Sequence, residues 1–277
     1  MNHKDMSAVI EDKLKEINRL LPKILKEFNH RNIDEFMLEV RKLKAFLRMA
    51  YINEEEEAQK TVIPRLLKIF TGYVGVIQSI QLQIHRIFQY ITTYIADQPD
   101  QYLKLLNIEK KYWQDEALSL MEDKNFEEVR DQILKRMPRK IHALQITDFS
   151  RSRLQSLAGI NDLHNEAQID AAGSILRDFL YLSEYINVES VFPGATLSKD
   201  GLQTIVLALE EFKNICAGLE LMQPEYLDKI SDEKEKNLLS VFQKSLLAKK
   251  NDVRKKIAQE LNVLSKAIYQ REIILSH

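Results

Sequence analysis

Apolar side chains recur every three or four residues along almost the whole chain, and polar side chains fill the positions between them. This spacing places the apolar side chains on one face of an α-helix, whereas the alternating spacing of a half-buried β-strand is absent. The pattern therefore predicts an all-α protein with about ten helices. They cover approximately residues 7–28, 32–51, 64–95, 101–121, 125–136, 141–158, 166–187, 202–220, 224–246 and 249–275.

Polar and helix-breaking residues mark the ends of these helices. Asn32 or Asp34 can cap the second helix, and Pro64 fits the first turn of the third. The stretch DQPDQ (97–101) is a clear turn signal, and residues 187–201 form the longest loop-like segment. The helices are therefore joined mostly by short connections.

A break near the midpoint of the chain divides the helices into two groups. The stretch RMPRK (136–140) interrupts the apolar pattern there. We predict a single domain over residues 1–277 with two up-down helical bundles, residues 1–138 and residues 139–277. Each bundle has about four helices plus short extras.

The two groups resemble each other in sequence. A shift of 136 residues lays IDEFMLEVRKLKAFL (33–47) over IDAAGSILRDFLYLS (169–183), so that Arg41 falls on Arg177. An internal repeat of half the chain length predicts two similar bundles related by a pseudo-twofold axis.

The composition fits long helices and gives no general attraction for nucleic acid. Only 7 of 277 residues are Gly and 6 are Pro, well below average usage, so few positions interrupt a helix. The 40 basic and 41 acidic side chains give a net charge of −1. Since nucleic-acid-binding domains generally carry a basic excess, we expect no nucleic-acid partner.

Targeting signals are absent from the sequence. No apolar segment reaches the roughly 20 residues that a membrane-spanning helix needs. The first residues, MNHKDMSAVIEDKLKEI, lack the apolar core of a secretion signal. The single Cys216 excludes an intramolecular disulfide. We therefore expect a cytoplasmic protein without membrane association.

Motifs of known catalytic and cofactor sites are also absent. None of the six histidines lies three or four residues from another, and Cys216 has no His or Cys nearby. The sequence has no Gly-x-Ser-x-Gly motif and no glycine-rich phosphate loop. We expect no enzymatic activity, no metal and no other cofactor, with Cys216 serving as a small apolar residue.

One basic helix face is the main candidate for binding. In DEFMLEVRKLKAFLRMA (34–50), steps of three, four and seven residues nearly complete whole helical turns. One face thus carries Asp34, Met37, Arg41, Lys44 and Arg48, and the apolar face carries Phe36, Val40, Leu43 and Leu47. The three cations can contact successive oxyanions. Alternatively, they form a solvated surface partly paired with Glu39 and the acidic run 54–57.

Other charged and aromatic clusters leave their roles open. The stretches KRMPRK (135–140), SRSR (150–153) and KKNDVRKK (249–256) are interpreted as solvated surfaces. In KKYW (110–113), aromatic rings adjoin two lysines. A packed helix whose lysines extend to solvent explains this cluster at least as well as a platform for ring stacking.

Three segments resemble motifs of the CHAD family, the conserved-histidine α-helical domain. DEFMLEVRKLKAFLRM (34–49) resembles the first motif, His-x-x-Arg-Val followed by two basic residues and Leu-Arg-Ala. TGYVGVIQ (71–78) is similar to a family segment written Ala-Gly-x-Ile-Arg-x-Leu-Gln. DAAGSILRDFLYLSE (170–184) is similar to the second-half motif, His-x-x-Arg-x-x-x-Lys-x-x-Arg-Tyr-x-x-Glu. It supplies Arg177, Tyr181 and Glu184.

The chain departs from these motifs mainly at basic positions. Asp34 and Asp170 replace the histidines, and Met37, Gly75, Gly173 and Leu180 replace arginines. The resemblance implies two four-helix bundles around a central basic cavity that binds inorganic polyphosphate. It further implies that the remaining anion contacts come from Arg41, Lys44, Arg48 and Arg177.

Two functions remain open on this basis. The first is a non-enzymatic CHAD-like protein that binds polyphosphate or a phosphorylated small molecule, more weakly than its relatives because cations are missing. The second is a degenerate CHAD-fold scaffold or protein-interaction module, with Met37 and Leu180 filling the cavity. Ion pairs from Arg41 and Lys44 to acids such as Asp170 or Glu184 would favour the second.

Overall fold

The computed structural model describes residues 1–52, 63–122, 124–186 and 199–275. These residues form ten helices: α1 His3–Glu27, α2 His30–Ala50, α3 Arg65–Tyr94, α4 Asp100–Met121, α5 Glu127–Arg136, α6 Ala143–Ala158, α7 Glu166–Tyr181, α8 Lys199–Glu220, α9 Pro224–Leu227 and α10 Glu233–Leu275. Apart from an isolated bridge between Asn2 and Lys140, the described residues contain no strand. The predicted all-α fold is confirmed.

Several predicted helix ends differ from the structure. Neither Asn32 nor Asp34 caps α2, because the Asn29 side chain accepts a hydrogen bond from the Arg31 amide at 2.9 Å and α2 begins at His30. Pro64 precedes α3 as its N-cap. The predicted break at 136–140 is confirmed, since α5 ends at Arg136 and α6 begins at Ala143.

The C-terminal helices differ most from the prediction. Two helices were expected over 224–246 and 249–275, but α9 has only four residues and α10 runs unbroken for 43. Residues 246–250, LLAKK, are good helix formers. The polar residues in this part of the chain therefore alter the exposed face of the helix but do not end it. Of the predicted loop 187–201, residues 187–198 lie outside the described ranges, as does the acidic run 54–57.

Four helices form a closed ring at the centre of the fold. α2 packs on α3, α3 on α8, α8 on α7, and α7 back on α2. α1, α4 and α10 cover the outside through their contacts with α2, α3 and α8 respectively. The ring therefore combines helices from both halves of the chain. None of the helices in the described ranges is long and apolar enough to cross a membrane.

The apolar face of α2 fixes its position in this ring. Phe36, Val40, Leu43 and Leu47 are all buried, as predicted. The ring of Phe36 lies edge-on to Phe70 of α3 at 5.4 Å and stacks with Phe126 at 6.3 Å, between ring centroids. The apolar face of α2 packs on α1 and α3. The basic face lies on the other side of the helix and therefore points into the centre of the ring.

The start of α7 repeats that of α2. Asn165 precedes α7 and accepts a hydrogen bond from the Ala167 amide at 2.9 Å, as Asn29 does from Arg31. The two helices begin 136 residues apart, the same shift that aligns their sequences.

A candidate anion-binding cavity

The helix ring encloses a cavity of about 610 Å³, with α4 and α9 along one side. This volume lies within the range usual for small-molecule sites. Small residues of α3 form its floor: Gly72, Gly75 and Ser79. A ligand can therefore approach the backbone of α3 closely.

All four predicted anion-binding residues line this one cavity. Arg41, Lys44 and Arg48 come from α2, and Arg177 comes from the facing side of α7. Lys213 of α8 adds a fifth cation that the sequence did not single out. The two carboxylates of the cavity wall belong to Glu109 and Glu220. The basic stripe of α2 thus lines a cavity that is partly open to solvent.

Arg41 is held by a carboxylate of α8. Its Nη1 donates a hydrogen bond to Oε1 of Glu210 at 2.7 Å. Tyr181 lies beside this pair, and burial, followed by the charge of Glu210, raises the pKa of its hydroxyl. The Arg41 charge is therefore partly balanced within the protein.

Arg48 forms part of a buried charged cluster behind the cavity wall. Asp178 is fully buried (0% exposed) and accepts hydrogen bonds from Nε and Nη2 of Arg48, the former at 3.0 Å. Arg153 approaches the same carboxylate at 3.2 Å and stacks over the Phe149 ring, 5.3 Å from its centroid. One buried carboxylate thus joins α2, α6 and α7, so the main role of Arg48 is structural.

Lys44 has no such partner among the residues that the structure describes. Within the described ranges, no carboxylate oxygen lies within 4.0 Å of its ammonium group. Burial lowers the pKa of Lys44, and the charges of Arg48 and Arg41 lower it further. The ammonium group is therefore held among like charges in a partly buried place.

Arg177 is the second of the cavity cations that lack a carboxylate partner in the described part of the chain. Burial lowers the pKa of Arg177, with a further contribution from the charge of Arg41. Its guanidinium group lies over Gly173, where Nη1 would be 3.2 Å from any Cβ atom at that position. A side chain at position 173 would thus compete with Arg177 for the same space.

Those acids expected to neutralise the α2 cations that lie in the described ranges do not do so. Asp170 instead approaches Lys213 at 3.5 Å, and both side chains are largely exposed. Glu184 is exposed, and Glu39 pairs with Lys42 at 2.6 Å rather than with the cavity cations. The neutralising acids are Glu210 and Asp178, which lie 169 and 130 residues from their partners.

Two of the six positions where the chain departs from the family motifs line the cavity. Met37 and Gly75 line it and face each other, the Met37 Cε lying 3.7 Å from the Cβ position of Gly75. Asp34 is exposed and accepts a hydrogen bond from Gln78. Leu180 is only partly buried and does not line the cavity. Met37 therefore narrows the cavity beside Gly75 without filling it.

The described residues contain no group of three or more His, Cys, Asp or Glu side chains placed to hold a metal ion. Glu27 stands three residues before His30, a spacing found in carboxylate metal sites. However, Glu27 ends α1, and His30 starts α2 and contacts Asp34 at 3.3 Å.

Cys216 is half-buried beside the start of α7. Burial, followed by a hydrogen bond with Glu166, raises the pKa of its thiol to about 11. The thiol is therefore protonated at neutral pH and is a poor nucleophile there.

No protein-family model and no curated protein matches the chain. Among solved structures, PptA from Streptomyces chartreusis has a similar fold, with a TM-score of 0.68. The match covers 94% of this chain and 99% of that chain at 11% sequence identity. The similarity therefore extends over both halves and concerns the fold.

Proposed function

We propose that this chain is a non-enzymatic CHAD-like protein that binds a phosphorylated anion, such as inorganic polyphosphate, in the central cavity. The proposal rests mainly on Lys44 and Arg177, two partly buried cations from the adjacent helices α2 and α7 without a carboxylate partner in the described residues. Burial of an uncompensated charge is unfavourable, and a bound anion relieves that cost. The resemblance to the CHAD motifs supports phosphate as the anion.

The affinity should be lower than a fully basic cavity would give. Glu210 and Asp178 already neutralise Arg41 and Arg48, so these side chains gain less from a ligand. Fewer counterions are then released on binding, which lowers both the affinity and its dependence on salt.

We also propose that the two halves are an internal repeat. The equivalent Asn caps of α2 and α7 and the equal sequence shift support it. Under this arrangement Arg41 and Arg177 are equivalent residues that face the cavity from two adjacent helices.

A polyphosphate titration at low and at physiological salt tests the anion site. We expect binding at low salt that weakens as salt is added, and reduced binding by the Lys44→Ala/Arg177→Ala variant. Loss of two phosphate contacts should flatten the slope of log affinity against log salt by about 1.4. The measurement is fluorescence anisotropy of end-labelled polyphosphate.

A matched control removes two cations far from the cavity. Lys26 and Arg130 are exposed by 78% and 52%, and neither lines the cavity. The Lys26→Ala/Arg130→Ala variant should bind as the wild type does. Equal losses in both double variants would mean diffuse surface attraction. No binding at low salt would favour the scaffold or protein-interaction function.

A second prediction adds a cation to the cavity. Gly75→Arg should strengthen polyphosphate binding. It should also steepen the slope of log affinity against log salt by about 0.7, the value for one added phosphate contact to a single-stranded polyanion. The space exists, because the nearest atom to the new Cβ would be Met37 Cε at 3.7 Å, an ordinary contact. Gly75→Gln, of similar length but neutral, is the control. Equal affinities of the two variants would contradict a ligand beside α3.

A further inference from the structure

The two long sides of the cavity differ in chemistry. The α2 and α7 sides present the cations Arg41, Lys44 and Arg177, whereas the α4 and α9 sides present Trp113 and Tyr226. Glu109 also lies on the aromatic side, and Glu220 is on the part of α8 that leads to α9. Apart from Lys213 of α8, the cations of the cavity therefore lie on the α2 and α7 sides, and both carboxylates lie towards the other.

A uniform polyanion does not match this division. Phosphates that extended across the cavity would meet Glu109 and Glu220, and like charges close together are unfavourable. A ligand with an anionic end and a planar, uncharged end avoids this repulsion. Along α8, Lys213 and Glu220 are about 10 Å apart at the helical rise. A nucleoside diphosphate or triphosphate spans such a distance.

Trp113 is held in place by its neighbours. Its ring lies 5.3 Å from Tyr73 of α3 and 5.2 Å from Tyr112, between centroids, and its indole nitrogen lies 3.5 Å from Glu109. An aromatic ring in a fixed orientation loses little conformational entropy when a planar ring stacks on it. Of the KKYW cluster, Trp113 belongs to the cavity wall.

The floor beside Trp113 leaves room for a flat ring. Gly72 lies on the cavity side of α3, and no atom lies within 4 Å of its Cβ position. A base can therefore lie against the α3 backbone and contact the face of the Trp113 indole. Glu109 can accept hydrogen bonds from the N–H groups of a base, which a phosphate cannot donate.

We propose that the ligand of this cavity is a nucleotide, with its phosphates at Lys44 and Arg177 and its base on Trp113, beside Glu109. This inference rests on the proposed anion site and narrows its ligand to one class. The base adds stacking, which inorganic polyphosphate cannot supply, to the phosphate contacts.

The chain contains a single tryptophan, so its fluorescence reports on this wall alone. ATP, GTP and inorganic tripolyphosphate are titrated at equal ionic strength, with fluorescence and calorimetry as readouts. We expect at least one nucleotide to bind about five- to a hundredfold more tightly than tripolyphosphate, the range expected of one base stacked on an aromatic ring. Only the nucleotide should quench the fluorescence strongly.

Variants separate the two ends of the ligand. Trp113→Leu, followed by calorimetry, should bring the ratio of nucleotide to tripolyphosphate affinity close to one. Tyr94→Leu, which removes an aromatic ring that is 65% exposed and outside the cavity, should leave the ratio unchanged. Lys44→Ala/Arg177→Ala should weaken both ligands. Circular dichroism melting curves check that each variant is folded.

The outcomes distinguish this inference from the anion site itself. Equal affinities of tripolyphosphate and both nucleotides would overturn the nucleotide while leaving the anion site intact. A nucleotide preference that survives Trp113→Leu would overturn the stacking position. No binding of any of the three ligands would contradict both proposals.

Discussion

Replacing Asp178 with alanine should lower the free energy of unfolding by about 3 kcal/mol. The carboxylate is fully buried and neutralises Arg48 and Arg153, whose side chains are only 34% and 25% exposed. Removal of one partner of a buried ion pair leaves the other charges uncompensated. We place the loss at the lower end of the usual range because water can still reach both guanidinium groups. Urea denaturation measures it.

The exposed pair on the same helix is the control. Asp170 contacts Lys213 where both side chains are largely exposed, so Asp170→Ala should cost about 1 kcal/mol or less. A similar small loss for Asp178→Ala would mean that the cluster does not join α2, α6 and α7 as the structure indicates.

Phe36→Ala should lower the free energy of unfolding by about 3–5 kcal/mol. Phe36 is fully buried, and its contacts with Phe70 and Phe126 fix α2 against α3. Truncation removes these contacts and leaves a cavity in a close-packed core. Since α2 carries three of the cavity cations, we also expect weaker anion binding under conditions where the variant is still folded. Chemical denaturation and the polyphosphate titration provide the two readouts.

Leu38→Ala on the same helix is the matched control for Phe36. Leu38 is 36% exposed, so its truncation should cost less than about 1 kcal/mol. If the two variants lost equal stability, the aromatic contact between α2 and α3 would not be the main support of this wall.

The amphipathic pattern was sufficient to predict the fold class and the orientation of α2. Phe36, Val40, Leu43 and Leu47 are buried as expected, and the basic face turns the other way. Helical periodicity is a local property, so a single sequence reveals it. The exact ends of the helices depended on weaker local signals in the sequence. Asn29 caps α2 where the pattern favoured Asn32 or Asp34, and the long α10 passes through polar positions that resemble a helix end.

The partners of the cavity cations could not be predicted in the same way. Glu210 and Asp178 come from helices that the chain reaches 169 and 130 residues later, and their register depends on how α7 and α8 pack. Arg153 was part of a stretch interpreted as solvated surface, yet it contacts Asp178. Apart from its charge, nothing in the sequence marked Lys213 as a residue of the cavity. Periodicity identifies the face of a helix but not the helix that it meets.

The closed ring also affects how the chain folds during synthesis. The acids that neutralise Arg48 and Arg41 follow them by 130 and 169 residues. At about 5–20 residues per second, roughly 7–34 s pass between the synthesis of these cations and that of the acids that neutralise them. Throughout that interval, the surface of α2 that later meets α7 is exposed. Slow translation of the second half should therefore favour aggregation of the nascent chain.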